Sequence, residues 1–151
     1  MLRTRLNDAL KASMKAKETR TIATVRLILA ALKDRDIAAR GKGNLEGIDE
    51  DGILAMLQSM IKQRRESIVL YEKGGRLELA RQEAEEITVI EQFLPRQLTE
   101  DEMAEAIMAV IEDVEAKSLK DMGRTMAALK ERYAGRMDFA KASARVKEQL
   151  G

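Results

Sequence analysis

Leu94-Pro95-Arg96-Gln97-Leu98-Thr99-Glu100-Asp101-Glu102 decides how this chain is organised. Pro95 is the only proline in 151 residues. A helix arriving from the N-terminal side cannot run through it, because the ring removes a backbone N–H and disfavours helical conformation in the preceding residue. Just beyond it, Thr99 and Glu102 have the spacing of a capping box, in which hydroxyl and carboxylate satisfy free amides reciprocally at a helix start. Leu94 to Leu98 is therefore read as a connector. The spacing predicts an N-terminal helical domain over residues 1–95 and a small three-helix domain over residues 96–151.

Upstream, Leu2, Leu6, Leu10 and Met14 recur as the stripe of a first amphipathic helix. A second is expected from Thr21 to Arg40, with Ile22, Val25, Ile28, Leu29 and Leu32 on one side and Gly41 at its end. Residues 41–49 hold three glycines and read as a loop. Asp49 is the expected N-cap of a third helix reaching Lys73, and Gly74-Gly75 turns the chain into a fourth over Leu77 to Phe93. Downstream, Met103, Ile107, Val110, Ile111 and Val114 mark a fifth helix. Ser118 with Asp121 opens a sixth reaching Ala134, Gly135 breaks it, and Asp138 caps a seventh ending at Leu150. Gly123 stands within the sixth helix, where glycine costs about 1 kcal/mol against alanine; close approach of another helix backbone would compensate.

Composition agrees with an all-α fold. Ala, Leu, Ile and Met dominate the apolar set and Lys, Arg, Asp and Glu the polar one, and the only aromatics are Tyr71, Phe93, Tyr133 and Phe139. There is no cysteine and no histidine, which excludes disulfides, thiolate metal sites, a cysteine nucleophile and a histidine general base. No metal ligand set, catalytic residue or cofactor is expected. The longest apolar run, Leu27 to Leu32, is far short of the roughly 20 residues that span a bilayer. Arg3 and Arg5 precede any apolar stretch, with no signal-peptide core, so a cytoplasmic protein without a membrane partner is expected.

The net charge of +1 conceals segregation. Residues 1–40 carry ten Lys/Arg against four Asp/Glu, residues 99–116 carry none against seven, and residues 117–151 carry nine against four. Such local patches govern what a polyanion feels. Lys117, Lys120 and Arg124 fall opposite the stripe of Leu119, Met122, Met126, Leu129 and Tyr133. Lys141 and Arg145 face away from Phe139, Ala142, Val146 and Leu150, and Arg136 lies in the intervening turn. Two helices joined by a short turn would thus present a cluster of cations suited to phosphates. So few aromatics argue against stacking on single strands and favour folded RNA read by shape and backbone.

On the third helix Arg64 sits inside the face formed by Ile53, Leu57, Met60, Ile61, Ile68 and Tyr71. A guanidinium there needs a carboxylate, and Asp36, Glu83 and Glu91 are the candidates. It either fixes helix register or serves an anion site. Lys62 and Arg65 face outward and form a possible second contact region or a solvated face.

Several of these segments resemble the GatB/YqeY family. Lys120-Asp121-Met122-Gly123, Met126, Leu129-Lys130, Ala134-Gly135-Arg136, Asp138 and Val146-Lys147 are similar to the tail of GatB, the tRNA-engaging subunit of the glutamine-dependent aminoacyl-tRNA amidotransferase. Met14-Lys15-Ala16-Lys17, Arg26-Leu27-Ile28, Lys62 to Ser67, Tyr71, Glu83, Glu86 and Leu94-Pro95 through Leu98 are similar to YqeY, the stand-alone bacterial member. The resemblance implies two α-helical domains, a tail that helps hold tRNA, and an amidotransferase or another protein as an expected partner. Labels for this family assign carbon–nitrogen ligase activity with glutamine as amide donor, but the chemistry belongs to parts without counterpart residues here. Three readings follow: a non-catalytic tRNA-binding or amidotransferase-associated module, a glutamine-dependent ligase component, and a protein-interaction adaptor using the acidic helix. No serine lies in a recognisable nucleophile elbow, and Gly41-Lys42-Gly43 lacks the phosphate-loop pattern.

Overall fold

A computed structural model describes residues 1–151. The protein is all-α, as its composition predicts, with seven α-helices, one 3-10 turn and no strand. It divides into two compact units, Met1–Leu94 and Pro95–Gly151. No helix is long and apolar enough to cross a membrane.

The first unit contains α1 (Leu2–Ala16), α2 (Thr19–Gly41), α3 (Glu50–Lys73) and α4 (Leu77–Glu91). α3 and α4 form an antiparallel hairpin, α1 lies on α2, and α2 packs on α4. The core holds Leu6, Val25, Ile28, Ile53, Met56, Leu57 and Ile90, none more than 1% exposed. Asp49 caps α3 as expected, its carboxylate accepting from Gly52 N–H at 2.8 Å. α2 begins at Thr19, earlier than its apolar stripe suggests, and α4 stops at Glu91 instead of Phe93. The tightened turn that follows keeps Phe93 buried even so, with its N–H donating to Ile90 O at 3.1 Å.

The stripe on α1 drifts. A spacing of four residues overshoots one helical turn by about 40°, so Met14 stands about 120° further round the helix than Leu2. Accordingly Leu2 and Leu6 are buried while Met14 is 50% exposed, and Ser13 is buried in its stead. The Ser13 hydroxyl donates to Leu10 O at 3.0 Å.

Two buried charges organise this unit. Asp36, on the core side of α2, does not pair with Arg64; it takes a two-pronged contact from Arg3 at 2.5 and 2.8 Å and the N–H of Ile48 at 3.0 Å. Arg3 also donates to Ile48 O at 2.8 Å, tying α1, α2 and the loop before α3 together. Gly47 makes this possible: its φ is +84°, and a Cβ there would lie 2.7 Å from Asp36 Cγ. The Arg3 guanidinium, above all, holds the Asp36 carboxyl down at about 2.

Arg64 pairs mainly with Glu86, Nε to Oε2 at 2.9 Å, with Glu83 farther off at 3.8 Å and Met60 O accepting at 3.2 Å. Glu86 was not among the candidates named from the sequence, and Glu91 is exposed. Arg64 and Glu86 stand equidistant from the Gly75 turn, so an antiparallel hairpin sets them face to face. Burial, reinforced by the neighbouring Glu86 charge, pushes the Glu83 carboxyl up. The Arg64 site is thus a pair that sets the register of the hairpin. No buried side-chain nitrogen or oxygen lacks a hydrogen-bond partner.

The second unit contains α5 (Glu100–Asp113), a 3-10 turn (Leu119–Asp121), α6 (Met122–Arg132) and α7 (Phe139–Leu150), packed around Ile107, Val110, Leu129, Ala142 and Val146. The Thr99–Glu102 capping box is formed in both directions, at 3.1 and 3.0 Å. The expected sixth helix is shorter than its pattern: the Ser118 cap opens the 3-10 turn, and α6 ends at Arg132 instead of Ala134. Gly123 is approached by no other helix; a Cβ there would meet nothing within 4 Å. It faces solvent in the first turn of α6, and the expected compensating contact is absent.

Asp36 provides a pH signature. Its folded-state value lies below its ordinary value of 3.8, so its stabilising contribution is complete above about pH 4 and is lost as pH falls toward 2. Asp36→Asn is expected to destabilise the first unit by about 2–3 kcal/mol at pH 7, with the difference from wild type shrinking through that window. Urea unfolding across pH checks this. Glu83 has the opposite sign. Its folded-state value lies above the ordinary 4.5, so stability declines as pH rises past that point. Glu83→Gln is expected to flatten that decline and to gain on wild type between pH 4 and pH 7 in the same assay.

Candidate nucleic-acid interface

The second unit is nearly balanced in charge: residues 95–151 carry ten Lys/Arg and eleven Asp/Glu. A positive surface can arise there only where cations are left over from internal pairing, so the partners of each candidate decide its role.

The arginines are committed. Arg124, in the first turn of α6, donates to Val114 O at the C-terminal end of α5 at 2.5 Å and to Asp121 Oδ1 at 3.0 Å. It satisfies a carbonyl the helix end leaves free and places a cation at the negative end of the helix dipole. Arg145, on α7, pairs with the Glu100 carboxylate at the other end of α5 and contacts Glu100 O at 3.4 Å. Arg132 pairs with Asp113 at 2.6 Å. Arg136 is half-buried and donates through Nε to Arg96 O at 3.1 Å, while its carbonyl accepts from Leu98 N–H at 2.8 Å. Gln97 adds a bond to Gly135 O at 2.6 Å, so the connector is laced onto the turn between α6 and α7.

The lysines are not. Lys117, Lys120 and Lys141 are exposed, and their ammonium groups make no ion pair; Lys130 and Lys147 are in the same condition. Asp121 builds the turn that carries the first two. Its carboxylate accepts from the N–H groups of Lys117 at 2.8 Å and Ser118 at 3.3 Å and from Arg124, and these bonds, Lys117 foremost, hold it below the usual range.

The candidates do not gather into one cluster. Lys117, Lys120 and Arg124 lie at the C-terminal end of α5, because Arg124 holds Val114. Arg136, Lys141 and Arg145 lie at its N-terminal end, because Arg136 touches the connector and Arg145 holds Glu100. A 14-residue helix separates the two groups by roughly 20 Å. The helical pattern correctly sets these residues outside the core, but the pairing of α6 and α7 with α5 was not readable from either helix alone. The structuring role of Gln97 escaped sequence reasoning entirely, since a connector has no periodicity to read. No three acidic side chains converge in a way that could hold a metal ion.

Residues 3–150 match the Yqey-like protein family. This chain belongs to that family. YqeY-like membership thus rests on almost the whole chain, both units included. Similar curated proteins are the mitochondrial proteins named altered inheritance of mitochondria protein 41 of two yeasts. That of Lachancea thermotolerans is 33% identical over 89 residues, covering 59% of this chain and 46% of the relative. That of Kluyveromyces lactis is 31% identical over 88 residues, covering 58% and 45%. Each match spans about half the length of the curated relative.

The split between committed arginines and free lysines predicts different mutational behaviour. Arg124→Gln is expected to cost about 1 kcal/mol in urea unfolding through the lost bond to Val114 O. Lys120→Gln and Lys141→Gln are expected to stay within about 0.5 kcal/mol of wild type.

Proposed function

We propose that this YqeY-like protein is a non-catalytic module that binds tRNA or another folded RNA through its C-terminal unit, alongside amidotransferase machinery. The observation that carries the reading is the set of exposed, unpaired lysines at both ends of α5, Lys117 and Lys120 at one and Lys141 at the other. Two cationic groups roughly 20 Å apart suit two separated stretches of phosphate backbone on a structured RNA better than one extended strand. Lysine on a flexible stem contacts phosphates as a point charge without requiring a set base geometry, which fits recognition by shape and backbone. The likeness of Lys120-Asp121-Met122-Gly123 and Ala134-Gly135-Arg136 to the GatB tail supports tRNA as the first RNA to test. In the structure these residues are the turn organised by Asp121 and the turn laced to the connector.

The test is binding of unfractionated tRNA by the full chain across a salt series. Affinity is expected to fall as salt rises. Replacing Lys117, Lys120 and Lys141 together with Gln is expected to weaken binding at least about tenfold at low salt and to reduce the slope of log K against log salt by about 2, since each phosphate contact contributes roughly 0.7 to 0.9. Circular dichroism confirms that the variant folds. Undiminished binding by the folded triple variant overturns the proposal.

A further inference from the structure

One side of α5 is buried against the second core, and both of its ends are held by arginines. A third side is open. Ala104, Met108 and Ala109 floor a shallow groove of about 810 Å³ that runs to Ala116 and Lys117. Met108 is 51% exposed, with Ala104 and Ala109 lining the surface beside it. Glu105, Glu112 and Glu115 form its rim. These three carboxylates make no ion pair, unlike Glu100, Glu102 and Asp113 of the same segment. Glu105, Met108 and Glu112 recur at spacings of three and four, so acid and apolar groups share one stripe along roughly 10 Å of helix, and Glu115 follows in the turn beyond the helix end, at a φ of +54°.

We infer that this groove docks a cationic amphipathic helix from a protein partner. The floor offers apolar area and close backbone approach to a helix laid along it, the arrangement by which amphipathic helices enter grooves. The rim selects the charge of the occupant: three unneutralised carboxylates attract lysine and arginine flanking an apolar stripe and repel a phosphate backbone. The carboxylate stretch differs in chemistry from the lysine groups at the ends of α5, Lys117 alone belonging to both, and the inference rests on Met108 and the carboxylates independently of the RNA reading.

The probe is a synthetic helical peptide of roughly 18 residues made only of leucine and lysine, with the leucines on one face, compared with a scrambled peptide of identical composition. Binding to the full chain is followed by titration calorimetry and by amide chemical shifts. The patterned peptide is expected to saturate at one site, shifting Ala104 to Lys117, and to bind at least about tenfold tighter than the scrambled one. Met108→Asp, at an exposed position that tolerates the change, and the double variant Glu105→Lys with Glu112→Lys are each expected to weaken it at least about tenfold. Equal binding of the scrambled peptide, or unchanged binding by Met108→Asp, overturns the inference. So does a dimer of the free chain that Met108→Asp dissociates, which would assign the face to a second copy.

Discussion

An acidic helix can keep its place in so small a unit only if cations grip it, and α5 is gripped at both ends. Val114 and Glu100, fourteen positions apart in the sequence, are held by Arg124 and Arg145. The apolar contribution is modest, because a unit of this size buries a smaller fraction of its surface than a larger domain does; its only fully inaccessible apolar residues are Val110, Leu129, Ala142 and Val146. Exposed pairs of this kind contribute little individually. Here, however, Arg124 also satisfies a carbonyl left free at the C-terminal end of α5, and together the two contacts fix where α6 and α7 sit on it. Because arginines are consumed in this way, the remaining positive charge of the unit resides on lysine.

Arginine has the same task in the first unit, in drier surroundings. Arg3 presents a planar fork to Asp36, and Arg64 bridges α3 to Glu86 on α4. A lysine could not make the two-pronged contact, since its ammonium is a compact point charge. Each contact joins elements distant in sequence, so each specifies the arrangement of helices more narrowly than the apolar core, which tolerates sliding of one leucine past another. Gly47 is the steric counterpart of the Arg3 clasp: only a residue without a side chain leaves the carboxylate its place.

Helix identity was legible in the sequence wherever local chemistry decides it. Asp49, Thr99 and Asp138 cap the helices their spacing indicates, and Pro95 and Gly74-Gly75 interrupt the chain where they stand. What was not legible depends on a second element. The α1 stripe reads as Leu2 to Met14 in the alphabet of residues, yet its twist carries Met14 out and brings Ser13 in. Arg64 plainly needs a carboxylate, but Glu86 follows only from the mirror relation of a hairpin about Gly75. Among the candidate site residues, the sequence distinguishes charged from apolar positions; it does not say that Arg124, Arg136 and Arg145 are occupied while Lys117, Lys120 and Lys141 are free. That distinction is made by partners on α5 and the connector.

The YqeY-like fold thus separates two kinds of positive charge by residue type, with a consequence for covalent chemistry. Acetylation acts on lysine amines and leaves guanidinium groups untouched. Acylating the exposed amines of the second unit would erase its outward charge in one step and leave α5 clamped as before, because every clamp is an arginine. The helical frame and its surface potential can therefore be altered independently of one another.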